Sequence, residues 1–271
     1  MNFSSLGLYA SNLTFGNSGK TIKQTAKGFL PEIPELKLPN LNNLSFSEWG
    51  AAYDKRNASI QSYKQQLNDL FFDSNGKILP AVESFLDNQV FEIKTGGKNG
   101  CVIHSTIKDY LRQSIHSPEI VDGKLFHGTI NPSNIDNIIQ NGFDINKISS
   151  GRTRLGPGFY FADYGSAMNY GSVLQVDAKG IVAGADNAFY ENVTDSSICK
   201  KVADFIGLNA DKCDDSETCY SFPAKLINEY SRQFIVENLG IDALRGWGGN
   251  GPADYCICVL NPKILSNVKR T

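Results

Sequence analysis

From Ser45 onward, Trp49, Tyr53, Ile60, Tyr63, Leu67, Leu70 and Phe71 recur mostly at three- or four-residue steps among polar neighbours. That spacing puts them on one face of a long amphipathic helix. Ile78, Val82 and Phe85 predict a second, shorter helix, and a third is expected around Ile107 to Ile115, so residues 45 to about 118 read as mainly helical. After Gly123 the texture changes to short β-prone runs separated by Gly, Asn and Asp: Lys124 to His127, Gly158 to Phe161, and Val173 to Val176. Between the first two, Asn131, Pro132 and Ser133 supply a helix start, Ile135, Ile138 and Ile139 an apolar face, and Gly142 a stop. Helices are expected again near Ser197 to Leu208 and Pro223 to Leu239. A short strand at Ile241 to Leu244, a glycine-rich loop from Arg245 to Ala253 and a strong strand at Tyr255 to Leu260 complete the pattern. The chain thus divides into an arm at 1–44, a helical lobe at 45–122 and a strand-rich region at 123–271, an α+β organisation.

Composition narrows the function classes. Hydrophobic residues make up 41% and charged residues 20% of the 271 positions, enough for one sizeable core or two modest ones. With 26 basic and 28 acidic side chains the formal net charge is -2, so no general attraction to nucleic acid or to anionic membranes is expected. The arm is rich in Asn, Ser, Thr and Gly and carries Pro31, Pro34 and Pro39, which suits an extended leader. Gly16 to Thr21 mimics a phosphate loop, but Thr14 stands where that pattern requires a glycine, and no apolar strand leads in. No secretory signal peptide or run of transmembrane length is visible, so a soluble, monomeric protein is expected. The cysteines at 101, 199, 213, 219, 256 and 258 show no C-x-x-C pair, which favours buried free thiols and no metal site.

The candidate chemistry lies in two short motifs. His127 ends an apolar run and is followed by Gly128 and Thr129, where a missing side chain leaves the backbone approachable. Gly158-Phe159-Tyr160-Phe161-Ala162-Asp163 begins 31 residues after His127, and Tyr170 follows Tyr160 by ten. Tyr160 on a strand and Tyr170 on a following helix are spaced to face each other across a slot about one ring thick. Glycines at 156 and 158 add nothing to a packed strand, which suggests that Tyr160 does more than pack. A lone histidine is more often structural than functional, and the ordered pair of motifs is what raises His127 above that.

In this order and spacing the chain resembles the ADP-ribosyltransferase superfamily, in its His-Tyr-Glu branch of diphtheria-type toxins and poly-ADP-ribose polymerases. The resemblance is close over residues 123 to 182 and loose over 240 to 265. It implies a split β-sandwich of two small sheets around an NAD cleft, preceded here by the helical lobe, with NAD as co-substrate. By the same resemblance His127 bonds the adenosine ribose, Gly128 offers its backbone to the nicotinamide carboxamide, and Tyr160 and Tyr170 sandwich the nicotinamide. Thr129, Gly158 and Ala162 line the same site. Arg152 and Arg154 are candidates for the pyrophosphate, although a solvated basic turn explains them nearly as well.

Two positions depart from the family. Ala167 and Met168 stand where many polymerases place a small hydroxyl residue before the second tyrosine. The glutamate that opens the final core strand is replaced by Asp254, one methylene shorter, with Glu237 as the other carboxylate to consider. Trp247 and Asn250, in the glycine-rich loop, are candidates for contact with an acceptor. The implied activity is mono-ADP-ribosyl transfer to a protein acceptor, such as a host protein like ubiquitin. NAD glycohydrolysis and a catalytically silent NAD-binding module are the alternatives. The overall organisation resembles a bacterial effector or toxin, exported without a regular signal peptide and acting in host cytosol, or otherwise a cytoplasmic protein.

Overall fold

A computed structural model describes residues 44–95, 101–145, 148, 154–185, 193–208, 216–247 and 255–271, without the side chains of 216–220 and 247. The arm expected at 1–44 lies outside them except for Leu44. Helix α1 (Phe46–Phe71) begins at a reciprocal cap: the Ser45 hydroxyl accepts the Glu48 N–H at 3.3 Å, and the Glu48 carboxylate accepts the Ser45 N–H at 2.8 Å. Its periodic residues Ile60, Tyr63, Leu67 and Phe71 are buried. Helix α2 (Pro80–Asn88) follows. Then come the hairpin β1 (Phe91–Lys94) and β2 (Val102–Ser105), helix α3 (Ile107–Ser114) and the long strand β3 (Ile115–Thr129). Helix α4 (Pro132–Asn141) starts at Asn131, whose side chain accepts the Ser133 N–H, and stops at Gly142 with φ 77°, a left-handed conformation that favours glycine. Strand β4 (Phe159–Phe161), the short helix α5 (Tyr164–Met168) and strand β5 (Ser172–Ala185) come next. Helix α6 (Ser196–Ile206) and helix α7 (Ser216–Gln233) precede a π-helical turn at Phe234–Asn238 and the closing strands β6 (Ala243–Trp247), β7 (Tyr255–Val259) and β8 (Leu265–Arg270).

Contacts group the described residues into two compact units, 44–88 with 196–227 and 89–195 with 228–271. In the first, Phe85 of α2 stacks on Phe205 of α6 at 3.5 Å between centroids, and Phe71 of α1 meets Phe222 of α7 at 5.6 Å. Lys225 donates to Asn68 at 2.8 Å across the same helices. These groupings cut across the segments 45–122 and 123–271: residues 89–122 join the strand-rich unit and 196–227 the helical one.

The second unit is organised by β5. One edge of β5 pairs with β3 along nearly its whole length. The other edge changes partner midway: Leu174 to Ala178 pair with β8 antiparallel, and Val182 to Gly184 pair with β6 in parallel. Strands β7 and β4 extend the β6 branch by antiparallel pairing, so the six-stranded sheet is a fork. Asp242 fills the junction. Its carboxylate accepts the Ile181 N–H at 2.9 Å and the Asn261 amide at 2.7 Å, while its carbonyl accepts the Leu260 N–H at 2.9 Å. A carboxylate wedge is what a fork requires, because each strand leaving the ladder strands backbone donors that must find another acceptor. Leu125, Phe161, Leu174, Val176, Val182 and Val259 then form one apolar face with Ile135 of α4.

The α+β class stands, with seven α-helices and two sheets among the described residues. The sheets are a hairpin and the forked sheet, whose two arms share β5. Strands β1, β2 and β8 were not expected from the sequence pattern, and β3 and β5 run well beyond the short runs predicted for them. The strand expected at Ile241 to Leu244 lies at Ala243–Trp247, so Arg245, Gly246 and Trp247 belong to β6 and not to the glycine-rich loop. Cys199, Cys256 and Cys258 are buried free thiols as expected, but Cys101 is exposed. Cys213 and the Cys219 side chain lie outside the described residues. No helix among the described residues is long and apolar enough to cross a membrane.

Removing the wedge is expected to destabilise the sheet. Asp242→Ala should lower the unfolding free energy by about 2 to 3 kcal/mol, the range for losing charged hydrogen bonds and leaving a backbone donor unpaired. Urea unfolding measures it, and an unchanged midpoint would contradict the role given to Asp242.

Candidate functional site

The pairing of β3 with β4 is limited to one place. Phe126 donates to the Ala162 carbonyl at 3.2 Å and accepts from the Ala162 N–H at 2.9 Å, a single antiparallel bridge. In a continuing ladder the next hydrogen-bonded pair would join Gly128 to Tyr160, two residues along each strand. That pair is absent. The Tyr160 carbonyl accepts instead from His127 Nδ1 at 2.8 Å. Gly128 stands opposite Val173, whose carbonyl turns the other way to accept the Thr271 N–H at 3.2 Å. The Gly128 N–H and C=O therefore face away from β5, on the side of β3 where Phe126 meets β4, just beyond the last bridge.

His127 is held in one tautomer. A carbonyl can only accept, so Nδ1 carries the proton and Nε2 of the neutral ring keeps its lone pair. The ring packs against Phe161 at 5.7 Å and edge-on to Phe143 at 6.5 Å. Burial among these rings pushes its pKa below the ordinary histidine value, and the bond to the Tyr160 carbonyl opposes that in part.

The tyrosines lie across the sheet from the imidazole. Phe161 shares the His127 face, so Tyr160, its neighbour in the strand, points to the other, where its Cα partner is Cys258. Tyr170 is on this second face too, in the turn that ends α5, with its N–H bonded to the Ala167 carbonyl at 3.0 Å. It is 43% exposed and therefore open to a ligand. A Cβ on Gly128 would collide with the Ala167 carbonyl oxygen and lie 2.9 Å from the Tyr170 Cβ, so glycine is what lets α5 approach β3. A ligand lying along this edge of β3 would meet His127 from one face, the tyrosines from the other and the Gly128 backbone between them.

Other expected residues have local duties. The Thr129 hydroxyl accepts from Asn134 at 3.2 Å and donates to the Asn131 carbonyl, which binds it to the start of α4. Ala162 makes the bridge, and Asp163 caps α5: hydrogen bonds from the Ser166 hydroxyl and N–H hold its carboxyl below the usual carboxylate range. The glycines at 156 and 158, read from the sequence as signs of function at Tyr160, have structural reasons. Gly156 adopts φ 99°, and a Cβ on Gly158 would sit 2.7 Å from the Val259 carbonyl oxygen. Arg154 is half-buried in the turn before β4. Arg152, Asn250 and Asp254 lie outside the described residues, as does the Trp247 side chain, while the Trp247 backbone pairs with Tyr255. Ile257 pairs with Phe161, so β7 begins at the end of the sheet where Ala162 and Phe126 meet. Glu237 is exposed on the π-helical turn.

Phe143 was missed from the sequence. Its signal was an apolar residue directly after the stop glycine Gly142, a position that folds back onto the core. It packs on Phe159 at 4.8 Å and shields the imidazole.

Because the folded pKa of His127 is depressed, the unfolded chain takes up this proton first as pH falls. Its contribution to stability is complete above about 6.5 and is lost as pH drops from there toward the folded value. Imidazole nitrogen shifts should show Nδ1–H at neutral pH and titration below the ordinary value. Titration at or above that value would contradict the burial.

Comparison with protein-family models, with curated proteins and with solved structures gives no match to this chain.

Proposed function

We propose that this chain binds NAD along the open edge of β3, cleaves the nicotinamide–ribose bond and passes ADP-ribose to a protein acceptor. The observation that carries the reading is the Gly128 N–H and C=O left unpaired on the β4 side of β3, placed between an imidazole with one free acceptor nitrogen and an exposed tyrosine. A carboxamide has one N–H donor group and one carbonyl acceptor, and Gly128 offers their complement without a side chain in the way. Tyr170 would cover the nicotinamide ring, and His127 Nε2 would accept a ribose hydroxyl, which only a neutral imidazole can do. The forked sheet supports the split β-sandwich that the resemblance implies, with the fork at β5 dividing it.

In the reaction the bond from the ribose C1′ to the pyridine nitrogen breaks and its electron pair leaves with nicotinamide. The ribose becomes an oxocarbenium-like cation, and a nucleophile on the acceptor protein attacks C1′ and loses its proton. The task for this chain is to stabilise the cation and to keep water out. Asp254 is the carboxylate proposed for the first, since it directly precedes β7. Trp247 and Asn250 are proposed to meet the acceptor, and Arg154 with Arg152 the pyrophosphate.

Incubation with labelled NAD and a cell lysate tests the reading. Label on protein is expected, with nicotinamide release falling about 100-fold in Asp254→Ala, the scale for losing one group aimed at developing charge. Tyr170→Ala should raise KM about tenfold through lost stacking and burial. Nicotinamide release without labelled protein would replace transfer by hydrolysis, and absence of both release and NAD binding would overturn the proposal.

A further inference from the structure

Tyr160 is tied down at both ends. Its phenol accepts the Leu155 N–H at 3.2 Å and donates to the Gly156 carbonyl at 3.0 Å, folding the turn before β4 back onto its own strand. The buried Cys258 thiol donates to the same Gly156 carbonyl at 3.6 Å. Leu155, fully buried, fills the space that Gly246 of β6 leaves open, where a Cβ would lie 2.9 Å from the Leu155 Cδ2. At its other end, the Tyr160 carbonyl holds His127 Nδ1 at 2.8 Å. One residue thereby connects the turn that carries Arg154 to the imidazole on the opposite face of the sheet.

We infer that Tyr160 is a positioning residue: its hydroxyl fixes the 154–158 turn, and its carbonyl sets the His127 ring, so that the two halves of an NAD-binding edge stay in register. The ring of Tyr160 can still line the edge. The hydroxyl is engaged by the turn and takes no part in bond breaking. This rests on the NAD reading for its catalytic consequence, but the coupling between turn and imidazole is a property of the fold.

Tyr160→Phe separates the roles, since it keeps the ring and removes only the hydroxyl. In the full chain KM for NAD should rise about tenfold with kcat within about twofold of the native value, the scale for losing a pair of neutral hydrogen bonds used in positioning. The His127 Nδ1–H resonance should exchange with solvent faster. Gly156→Ala disturbs the same clamp from its other side, because φ 99° is strained for alanine, and should produce the same pair of changes with Tyr160 intact. A tenfold or greater fall in kcat at unchanged KM in Tyr160→Phe would overturn the inference by placing the hydroxyl at the reacting bond. Native kinetics with native Nδ1–H exchange in both variants would overturn it as well. If the native chain releases no nicotinamide, the NAD reading fails by itself, and the exchange measurement decides the inference: faster exchange in the variants upholds it, unchanged exchange overturns it.

Discussion

The hydrogen bond from His127 Nδ1 to the Tyr160 carbonyl is the interaction on which the unit turns. A strand carbonyl at that position would ordinarily accept from the facing backbone, and the ladder between β3 and β4 would then run on from Phe126 and Ala162. With the imidazole occupying the carbonyl, the ladder ends after one bridge. An open donor and acceptor are left on Gly128, in a sheet that otherwise pairs its strands, and the same bond decides which nitrogen of the ring carries the proton.

Such an opening survives only if the rest of the sheet resists closing it. The wedge at Asp242 parts β8 from β6 on the far edge of β5 and sends β6, β7 and β4 along their own arm. Gly128 lets α5 press close to β3, which sets Tyr170 beside the open edge. On the opposite face Phe143 and Phe161 close over the imidazole, and their burial keeps it neutral, with a lone pair available on Nε2. Each of these contacts is ordinary packing or polar satisfaction. Together they hold donors, acceptors and an aromatic ring around a strip of bare backbone.

Much of this architecture was legible in the chain, for identifiable reasons. Helix α1 was readable because its apolar residues keep helical spacing from Ser45 onward, and α4 because Asn131 and Gly142 bracket it. Strand β8, with the polar run Ser266, Asn267, Lys269 and Arg270, has no apolar alternation to read, and the first half of β3 is mostly exposed, which erases the pattern there too. The fork was invisible because partner exchange along β5 is a tertiary choice, which strand propensity does not encode. At the site, residue types singled out His127, Gly128 and Tyr170, which the structure gathers along one edge of β3. The decisive bond escaped notice because its acceptor is a backbone carbonyl, which has no letter in the sequence, and Gly156 and Gly158 were misread because their reasons are a backbone angle and a close contact.

In the proposed function the Gly128 backbone is a recognition surface and not merely a gap between strands. Following the Gly128 amide resonance during titration of the intact chain with NAD tests this most directly. Recognition by the Gly128 backbone should give a saturable shift of that amide, accompanied by shifts at His127 and Tyr170. A Gly128 resonance that stays fixed while NAD binds elsewhere, or fails to bind at all, would contradict it.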